Sequence, residues 1–278
     1  FTGKKKMVAM KGSYHGKSMG ALSLTFNPKY REPFQPLVEK VSFSPYGDVN
    51  ALRDVVDKDT AFVILEPIQG ESGIHVPPEG FLQEVRKICD ENDSLLIFDE
   101  IQSGLGRTGS MWASEHWKTV PDIMCLAKGI AGGVPMGATL VRPDILAVMK
   151  KGEHSSTFGG NPLACAAGTA TLHALTQDGL IENAKSMGEK FSHGLEELKS
   201  KHKIIREVRG KGLMIGVELK FEVKDILMEG IKNGLLLLYS GRNILRFLPP
   251  LVISEEDTVK TLQILDELLT NEENRRNA

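Results

Sequence analysis

Polar side chains follow four of the apolar segments in the first half of the chain. They are Tyr14 and His15 after the first segment, Glu66 and Glu71 after the third, Asp99, Glu100 and Gln102 after the fourth, and Lys128 after the fifth. In an open parallel α/β sheet, ligands bind beyond the carboxyl ends of the strands. One polar residue after a strand is typically a solvated loop residue, but the set predicts a binding site at one rim of a sheet.

Lys128 and Asp99 indicate the chemistry of such a site. Burial disfavours an ammonium and lowers its pKa, and a neutral amine attacks an aldehyde to form a Schiff base. The alternative interpretation is that Lys128 extends to the surface where a helix begins. Pyridoxal phosphate needs such a lysine, and it also needs a carboxylate such as Asp99 beside its ring nitrogen. The pair therefore predicts a pyridoxal-phosphate site in which the amine transfers a proton between carbon atoms.

The elements that position these residues alternate along the first half of the chain. Strands are expected at residues 7–10, 41–43, 61–65, 95–98, 123–126 and 138–141. Several are apolar at every position, as is typical of strands covered on both faces. Residues 80–92 predict a helix with Phe81, Val85 and Ile88 on one face. This alternation predicts an α/β fold with a mostly parallel sheet.

The second half of the chain predicts a different arrangement. Asn161 and Pro162 are typical of a helix start. An apolar helical stripe then begins near Leu180. Strands are expected at residues 204–208, 213–219, 235–239 and 244–248, and a helix near 223–233. Ser254 and Asp257 resemble a capping box for a last helix through residue 269, and the polar residues 271–278 are expected to fray.

These patterns predict two domains. Residues 1–178 are expected to form a large cofactor-binding domain, and residues 179–278 a smaller C-terminal α+β domain. The chain starts with Phe1 and lacks a signal peptide, so we expect the sequence to be an internal part of a longer protein.

The composition excludes several classes of protein. The chain has 278 residues, 41% hydrophobic and 25% charged, which is ordinary for a globular protein. Its net charge is -2, and its charges are mixed along the chain, so no nucleic-acid partner is expected. No apolar segment approaches the ~20 residues of a membrane span. Three cysteines favour a reducing, cytoplasmic location. Seven histidines without a His-x-x-x-His pair predict no metal site.

A glycine pattern at residues 104–109 (GLGRTG) matches the dinucleotide-binding fingerprint. That fingerprint requires a strand that leads directly into the glycines and then into a helix. Here residues 99–103 intervene, and the residues after Gly109 are a poor helix start. We therefore set aside a nicotinamide site.

Several motifs resemble the class-III aminotransferases in order and spacing. They are residues 13–18 (SYHGKS), 66–71 (EPIQGE), 98–109 (FDEIQSGLGRTG), 126–137 (LAKGIAGGVPMG) and 156–162 (STFGGNP). The resemblance covers essentially the whole chain and is closest to the acetylornithine and ornithine aminotransferase branch. Residues 29–34 (KYREPF), 206–214 (REVRGKGLM) and 246–253 (RFLPPLVI) look like the lysine and arginine biosynthesis enzymes. The resemblance implies a fold-type-I large domain with a mostly parallel, mixed sheet.

The resemblance implies a role for each candidate cofactor residue. Lys128 would form the Schiff base, and Asp99 would pair with the pyridinium. Tyr14 would stack on the ring, and Gln102 would bond near the ring hydroxyl. His15 and Glu100 belong to the same set. Thr157 would reach across a homodimer interface to the phosphate of the neighbouring subunit's cofactor.

The resemblance also implies substrate-binding residues. Arg246 would bind the carboxylate of 2-oxoglutarate or glutamate, although a structural salt bridge is the alternative for an arginine in an apolar segment. Glu71 would pair with Arg246 while the amine donor is bound, and Ser156 would reach across the dimer interface. Lys17 stands where the family has an arginine, and a lysine is a point charge without the bidentate fork, which affects recognition of the donor's α-carboxylate.

These implications predict an aminotransferase that moves the terminal amino group of an N-blocked ornithine or lysine to 2-oxoglutarate. In some family members the blocking group is a small acidic carrier protein, which is a further expected partner. Two alternatives stay open. One is an aminomutase that acts on glutamate 1-semialdehyde, and the other is a non-catalytic, truncated homologue. The family carries roughly a hundred more residues upstream, including a glycine-rich turn that binds the cofactor phosphate.

Overall fold

The computed structural model describes residues 1–277. Its strands are β1 (Lys6–Met10), β2 (Val41–Ser44), β3 (Thr60–Leu65), β4 (Leu95–Asp99), β5 (Ile123–Leu126), β6 (Ala138–Val141), β7 (Ile205–Lys211), β8 (Met214–Leu219), β9 (Leu238–Ser240) and β10 (Ile244–Phe247). Its α-helices are α1 (Met19–Leu24), α2 (Pro28–Arg31), α3 (Val49–Val55), α4 (Phe81–Glu91), α5 (Pro143–Leu146), α6 (Pro162–Gln177), α7 (Leu180–Lys201), α8 (Lys224–Lys232) and α9 (Glu255–Asn277). Within this part of the chain, no helix combines the length and the apolar composition that a membrane crossing requires.

The first six strands form one mixed sheet in the order β2-β1-β3-β4-β5-β6. Strands β1 to β5 pair in parallel, and β6 pairs antiparallel to β5. The predicted α/β fold with a mostly parallel, mixed sheet is therefore confirmed. All six predicted apolar segments lie in its strands. The parallel pairing brings the carboxyl ends of β1, β3, β4 and β5 to the same edge.

The core beside this sheet is built from its continuous apolar strands. Val63 and Leu65 on one face of β3 and Ile64 on the other are all buried, as strands covered on both faces should be. Helix α4 buries Phe81, Val85 and Ile88, the face that the sequence predicts, against the same cluster. This packing holds the strand ends, and therefore the polar side chains that follow them, in fixed relative positions.

The second sheet is antiparallel, in the order β7-β8-β10-β9. Helices α7 and α9 cover it with an apolar layer that includes Phe191, Leu195 and Leu265. Phe191 meets Phe247 of β10 edge to face, with ring centroids 5.2 Å apart. Strand β9 is shorter than the predicted segment 235–239. The division of the chain after residue 178 stays a prediction.

The last helix corrects one expectation. Its predicted start is confirmed, because Ser254 Oγ accepts a hydrogen bond from Asp257 N at 3.0 Å. The helix continues to Asn277, however, beyond the predicted end at residue 269. Glu272 pairs with two arginines of the last turn, and Glu273 bonds His202 at 2.9 Å. These bonds order the polar end that was expected to fray. Ala278 lies outside the described residues.

Candidate active site

Four neighbouring parallel strands end at the rim where the candidate residues lie. Strands β3 and β4 pair Leu65 with Phe98, and β4 and β5 pair Asp99 with Cys125. Asp99 is the last residue of β4, and Lys128 follows the end of β5. The carboxylate and the amine therefore come from the ends of adjacent strands, as the sequence predicts.

Asp99 is a buried carboxylate with two bonds to protein donors. It is 5% exposed, and its Oδ1 accepts a hydrogen bond from Ile101 N at 3.1 Å. Its Oδ2 lies 2.7 Å from Nδ1 of His15, whose side chain is 2% exposed. Nε2 of His15 is buried without a hydrogen-bond partner in the described structure. His15 therefore orients Asp99, and each carboxylate oxygen keeps a further acceptor position.

Lys128 begins a short 3-10 helix (Lys128–Ala131) in an uncommon backbone conformation. Its φ of 48° lies in the left-handed region, which a non-glycine residue adopts at a cost and mostly where surrounding structure imposes it. Lys128 is exposed at the rim, where its amine can be reached from solvent. Partial burial nevertheless lowers the pKa of its ammonium, a direction that Glu71, Glu66 and Asp99 oppose with their charges. The amine therefore lies within the electrostatic influence of these three carboxylates.

Glu66 connects the loop that bears Tyr14 with the loop that bears Glu71. Its carboxylate accepts a hydrogen bond from Tyr14 N at 3.0 Å and from Gly70 N at 2.9 Å. It is 4% exposed. Burial raises its pKa to about 7, against the opposing charge of His15 and the two backbone hydrogen bonds. Glu66 therefore positions the loop of Tyr14 and the loop of Glu71 relative to each other.

Glu71 forms an ion pair with Arg246 across the two sheets. Nη1 of Arg246 donates to Oε1 of Glu71 at 2.7 Å, and Nε2 of Gln102 donates to the same oxygen at 2.9 Å. Burial raises the pKa of the Glu71 carboxyl, but the bonds from Arg246 and Gln102 outweigh burial, and the pKa falls below its ordinary value. Arg246 Nε and Gln102 Oε1 are buried without partners in the described structure, so both keep free bonding capacity.

A cleft of about 680 Å³ opens beside this ion pair. Tyr14, Tyr30, Glu71, Tyr239 and Arg246 are among its lining residues. The rings of Tyr14 and Tyr30 meet edge to face, with centroids 5.9 Å apart. The cleft therefore combines aromatic surface with the guanidinium of Arg246, and Lys29 is a second basic residue in its lining.

Lys17 lies beside this aromatic surface. Its Nζ is 4.8 Å from the centroid of the Tyr30 ring, within the range of a cation–π interaction. The side chain is exposed. The structure therefore places Lys17 next to the cleft.

Three predicted residues lie apart from this group. Glu100 is fully buried, and its carboxylate accepts hydrogen bonds from Ser103 Oγ at 2.6 Å and from the backbone of Ala113 and Ser114. These contacts do not support the predicted cofactor role, and they indicate that Glu100 anchors the segment after β4. Ser156 and Thr157 are exposed residues between α5 and α6. Their roles across a dimer interface stay predictions.

The structure adds residues that sequence reasoning did not single out. Ser240 donates a hydrogen bond to the backbone carbonyl of Glu71, and Arg209 Nε donates to Gly73 O at 2.9 Å. Tyr30 connects Lys17 to Tyr14. The one available signal was the place of Arg209 directly after the predicted strand at residues 204–208. Contacts that join residues more than a hundred positions apart leave no local pattern in the sequence.

The residues present fit pyridoxal phosphate. Asp99 is a buried, oriented carboxylate for a ring nitrogen, and Lys128 is an amine with a lowered pKa at the neighbouring strand end. Gln102 Oε1, buried and unpartnered among the described residues, can accept a hydrogen bond from the ring hydroxyl. Within residues 1–277, no group of three or more His, Cys, Asp or Glu side chains is arranged to hold a metal ion.

Comparison with known proteins identifies the family. Residues 1–269 match the model of the class-III aminotransferases. The chain is 48% identical over 266 residues to the acetylornithine aminotransferase of Caldanaerobacter subterraneus, covering 95% of this chain and 67% of that protein. It is 42% identical over 265 residues to ornithine aminotransferase 1 of Staphylococcus saprophyticus, with 95% and 67% covered. The chain belongs to the class-III aminotransferase family, whose members depend on pyridoxal phosphate.

Solved structures agree with this assignment. The ornithine aminotransferase of Toxoplasma gondii, whose active site holds pyridoxal phosphate at partial occupancy, is 34% identical with a TM-score of 0.95, covering 99% of this chain and 66% of that one. The acetylornithine aminotransferase of Elizabethkingia anophelis is 33% identical with a TM-score of 0.83, covering 96% and 65%. The chain spans about two thirds of the length of these relatives.

Proposed function

We propose that this chain carries the catalytic residues of a pyridoxal-phosphate-dependent aminotransferase of arginine biosynthesis. The enzyme would move the terminal amino group of N-acetylornithine, or of a similar N-blocked ornithine or lysine, to 2-oxoglutarate. The products would be a semialdehyde and glutamate. The observation that carries the proposal is the placement of Lys128 and Asp99 at the ends of neighbouring parallel strands, with the Glu71–Arg246 pair at the same rim.

Lys128 and Asp99 would perform the central proton and charge chemistry. Pyridoxal phosphate, when bound, supplies an aldehyde for the amino group and a ring that withdraws the electron pair left by C–H cleavage. Asp99, held by His15, keeps a proton on the ring nitrogen because a nearby negative charge favours the cationic form. A lowered pKa gives Lys128 a larger neutral fraction than free lysine has, so Nζ can accept and return the substrate proton.

Arg246 and Glu71 would separate the two half-reactions. While the donor is bound, Glu71 neutralises Arg246 through the 2.7 Å bond. When the diacid arrives, its distal carboxylate replaces Glu71 on the guanidinium, whose planar fork suits two carboxylate oxygens. One site then serves both substrates in turn, and we expect ping-pong kinetics.

The donor would occupy the aromatic cleft. Tyr14 would cover the cofactor ring, and Lys17 beside Tyr30 would bind a carboxylate of the donor as a point charge. A single positive charge fits N-acetylornithine and also a donor linked to a small acidic carrier protein. We further propose a homodimer in which Ser156 and Thr157 contact the neighbouring subunit's site, because both lie exposed on one short segment.

Replacement of Lys128 by Ala tests the proposal. We expect Lys128→Ala to abolish glutamate release from 2-oxoglutarate and the visible absorbance that the bound cofactor shows. Lys118→Ala is a matched control, because Lys118 is also an exposed lysine with a positive φ, of 49°. Retained turnover in Lys128→Ala would contradict the assignment. A panel of ornithine, N-acetylornithine, N-acetyllysine and carrier-linked donors, scored for glutamate, would identify the donor.

A further inference from the structure

The loop of residues 69–75 bears Glu71 and lies between the two sheets. It follows β3, and its ends are joined by two backbone hydrogen bonds of 3.0 Å between Gln69 and His75. Ile74 within it has a φ of 55° and is fully buried. The loop is therefore a closed, strained unit whose position depends on what holds it from each side.

The large sheet holds one side of the 69–75 loop. Glu66 accepts a hydrogen bond from Gly70 N at 2.9 Å, and Gln69 Nε2 donates to Lys11 O at 3.0 Å. Both contacts bind the start of the loop, before Glu71. The ring of His75 bonds the carbonyl of Ser72 at 3.0 Å within the loop. The backbone carbonyls of Glu71 and Gly73 are left to other partners.

The antiparallel sheet holds those carbonyls. Ser240 of β9, which is 3% exposed, donates from Oγ to the carbonyl of Glu71. Arg209 of β7 donates from Nε to Gly73 O at 2.9 Å, and its side chain is 10% exposed. Gly216 of β8 lies directly under Ile74, so close that a Cβ there would stand 3.1 Å from Ile74 Cβ. Arg246 itself comes from the adjoining strand β10.

We infer that Ser240 and Arg209 are positioning residues that hold the backbone of the 69–75 loop in register with Arg246, and so set the balance between the Glu71–Arg246 pair and diacid binding. The inference rests on the proposed function. Only the side chain of Glu71 needs to move when a carboxylate replaces it, because the backbone is fixed on both sides.

This role predicts that loss of either contact changes the binding of the dicarboxylate and the binding of the amine donor in opposite directions. In the native protein, the contacts with Ser240 and Arg209 hold the loop in order. A loosened backbone weakens the Glu71–Arg246 pair, because forming the pair must then order the loop at a cost in conformational entropy. Arg246 becomes more available, so a dicarboxylate binds more tightly. The donor, in contrast, meets a guanidinium that Glu71 no longer neutralises. Loss of one hydrogen bond corresponds to about a threefold to tenfold change in each constant.

Ser240→Ala tests the inference, with Ser44→Ala as its matched control. Ser44 is a fully buried serine whose Oγ has no hydrogen-bond partner in the described structure, so its loss breaks no bond. We expect Ser240→Ala to lower the calorimetric Kd for glutarate about threefold to tenfold and to raise the KM for the amine donor. Amide hydrogen exchange in a peptide that covers residues 69–75 should accelerate. Ser44→Ala should change none of these.

Arg209→Lys provides a second variant that keeps the charge and removes the Nε donor. Its control is Arg206→Lys, on the same strand, where Arg206 bonds Glu218 at 2.8 Å and is mostly exposed. Arg209→Lys should reproduce the pattern of Ser240→Ala. A rise of both constants together, unchanged constants, or unchanged exchange in the loop would overturn the inference, and so would a wild-type chain that does not bind glutarate. Failure of the proposed function would appear differently, as glutarate binding without transamination of any donor.

Discussion

Glu66 offers a test of the site that does not depend on activity. It is a buried carboxyl that accepts hydrogen bonds from Tyr14 N and Gly70 N. Burial raises its pKa from 4.5 to about 7. Glu66→Gln keeps the size of the side chain and removes its titration. The pH dependence of stability should therefore differ between the variant and the wild type.

The sign and size of this difference follow from proton linkage. Because the folded-state pKa exceeds the unfolded one, the folded state binds the proton more tightly between pH 4.5 and about 7. The stabilising contribution is fully present below pH 4.5 and is lost as the pH rises through about 7. Across this pH interval, the contribution of Glu66 to the free energy of unfolding changes by roughly 3 kcal/mol, at about 1.4 kcal/mol per pH unit.

Urea unfolding at a series of pH values measures the contribution. The free energy of unfolding of the wild type, minus that of Glu66→Gln, should fall by roughly 3 kcal/mol as the pH rises through this interval. Glu79→Gln is the control, because Glu79 is an exposed carboxyl in the same stretch of chain. Its curve should run parallel to the wild type. A wild-type minus Glu66→Gln difference that stays constant within about 1 kcal/mol would refute the argument, as would one that rises with pH.

Two further substitutions test other parts of the molecule. Arg246→Lys replaces the planar guanidinium with a point charge. The KM for 2-oxoglutarate should therefore rise about tenfold or more, whereas the rate of the donor half-reaction should change less. Equal losses in both half-reactions would contradict the role of Arg246. His202 bridges Asp266 at 2.6 Å and Glu273 at 2.9 Å, and joins the end of α7 to α9. His202→Gln should lower the free energy of urea unfolding by about 2 kcal/mol, and an unchanged unfolding midpoint would show that these bonds contribute little.

The two sheets meet at the candidate site, where Glu71 connects them. Asp99 ends a strand of the mixed sheet and Lys128 follows the neighbouring strand, whereas Arg246 and Ser240 belong to the antiparallel sheet. Glu71 bonds to residues of both. The Glu71–Arg246 distance therefore depends on the relative placement of the two sheets.

Much of the fold could be predicted because its strongest signals are local. A continuous apolar segment predicts a strand covered on both faces, and the strands at residues 60–65 and 95–99 are of this kind. The capping bonds of Asn161 and Ser254 depend on residues three positions away, so the sequence contains both partners. The end of α9 could not be predicted in this way, because its ion pair with Asp225 and its hydrogen bond with His202 involve other elements.

Asp99 and Glu100 show where local signals end. Both are acidic, adjacent and placed at the end of one strand, so the sequence assigned them to the same site. Successive side chains of an extended backbone point to opposite sides. Asp99 contacts His15 at the rim, whereas Glu100 is enclosed by Ser103, Ala113 and Ser114. The outcome depended on which side of the backbone faces His15 at the rim and which faces the segment after β4.

The sequence by itself determined the six strands of the large sheet and the helix at residues 81–91, and that Tyr14, Asp99 and Lys128 stand at strand ends on one rim. Apolar periodicity and cap chemistry are properties of neighbouring residues, so a single chain suffices to predict them. The family resemblance alone suggested that Glu71 bonds Arg246, 175 residues away, and only the tertiary structure decided that Ser240 holds the backbone of Glu71 from 169 residues away. Such contacts arise from the packing of two sheets against each other, and no local pattern in the sequence specifies them.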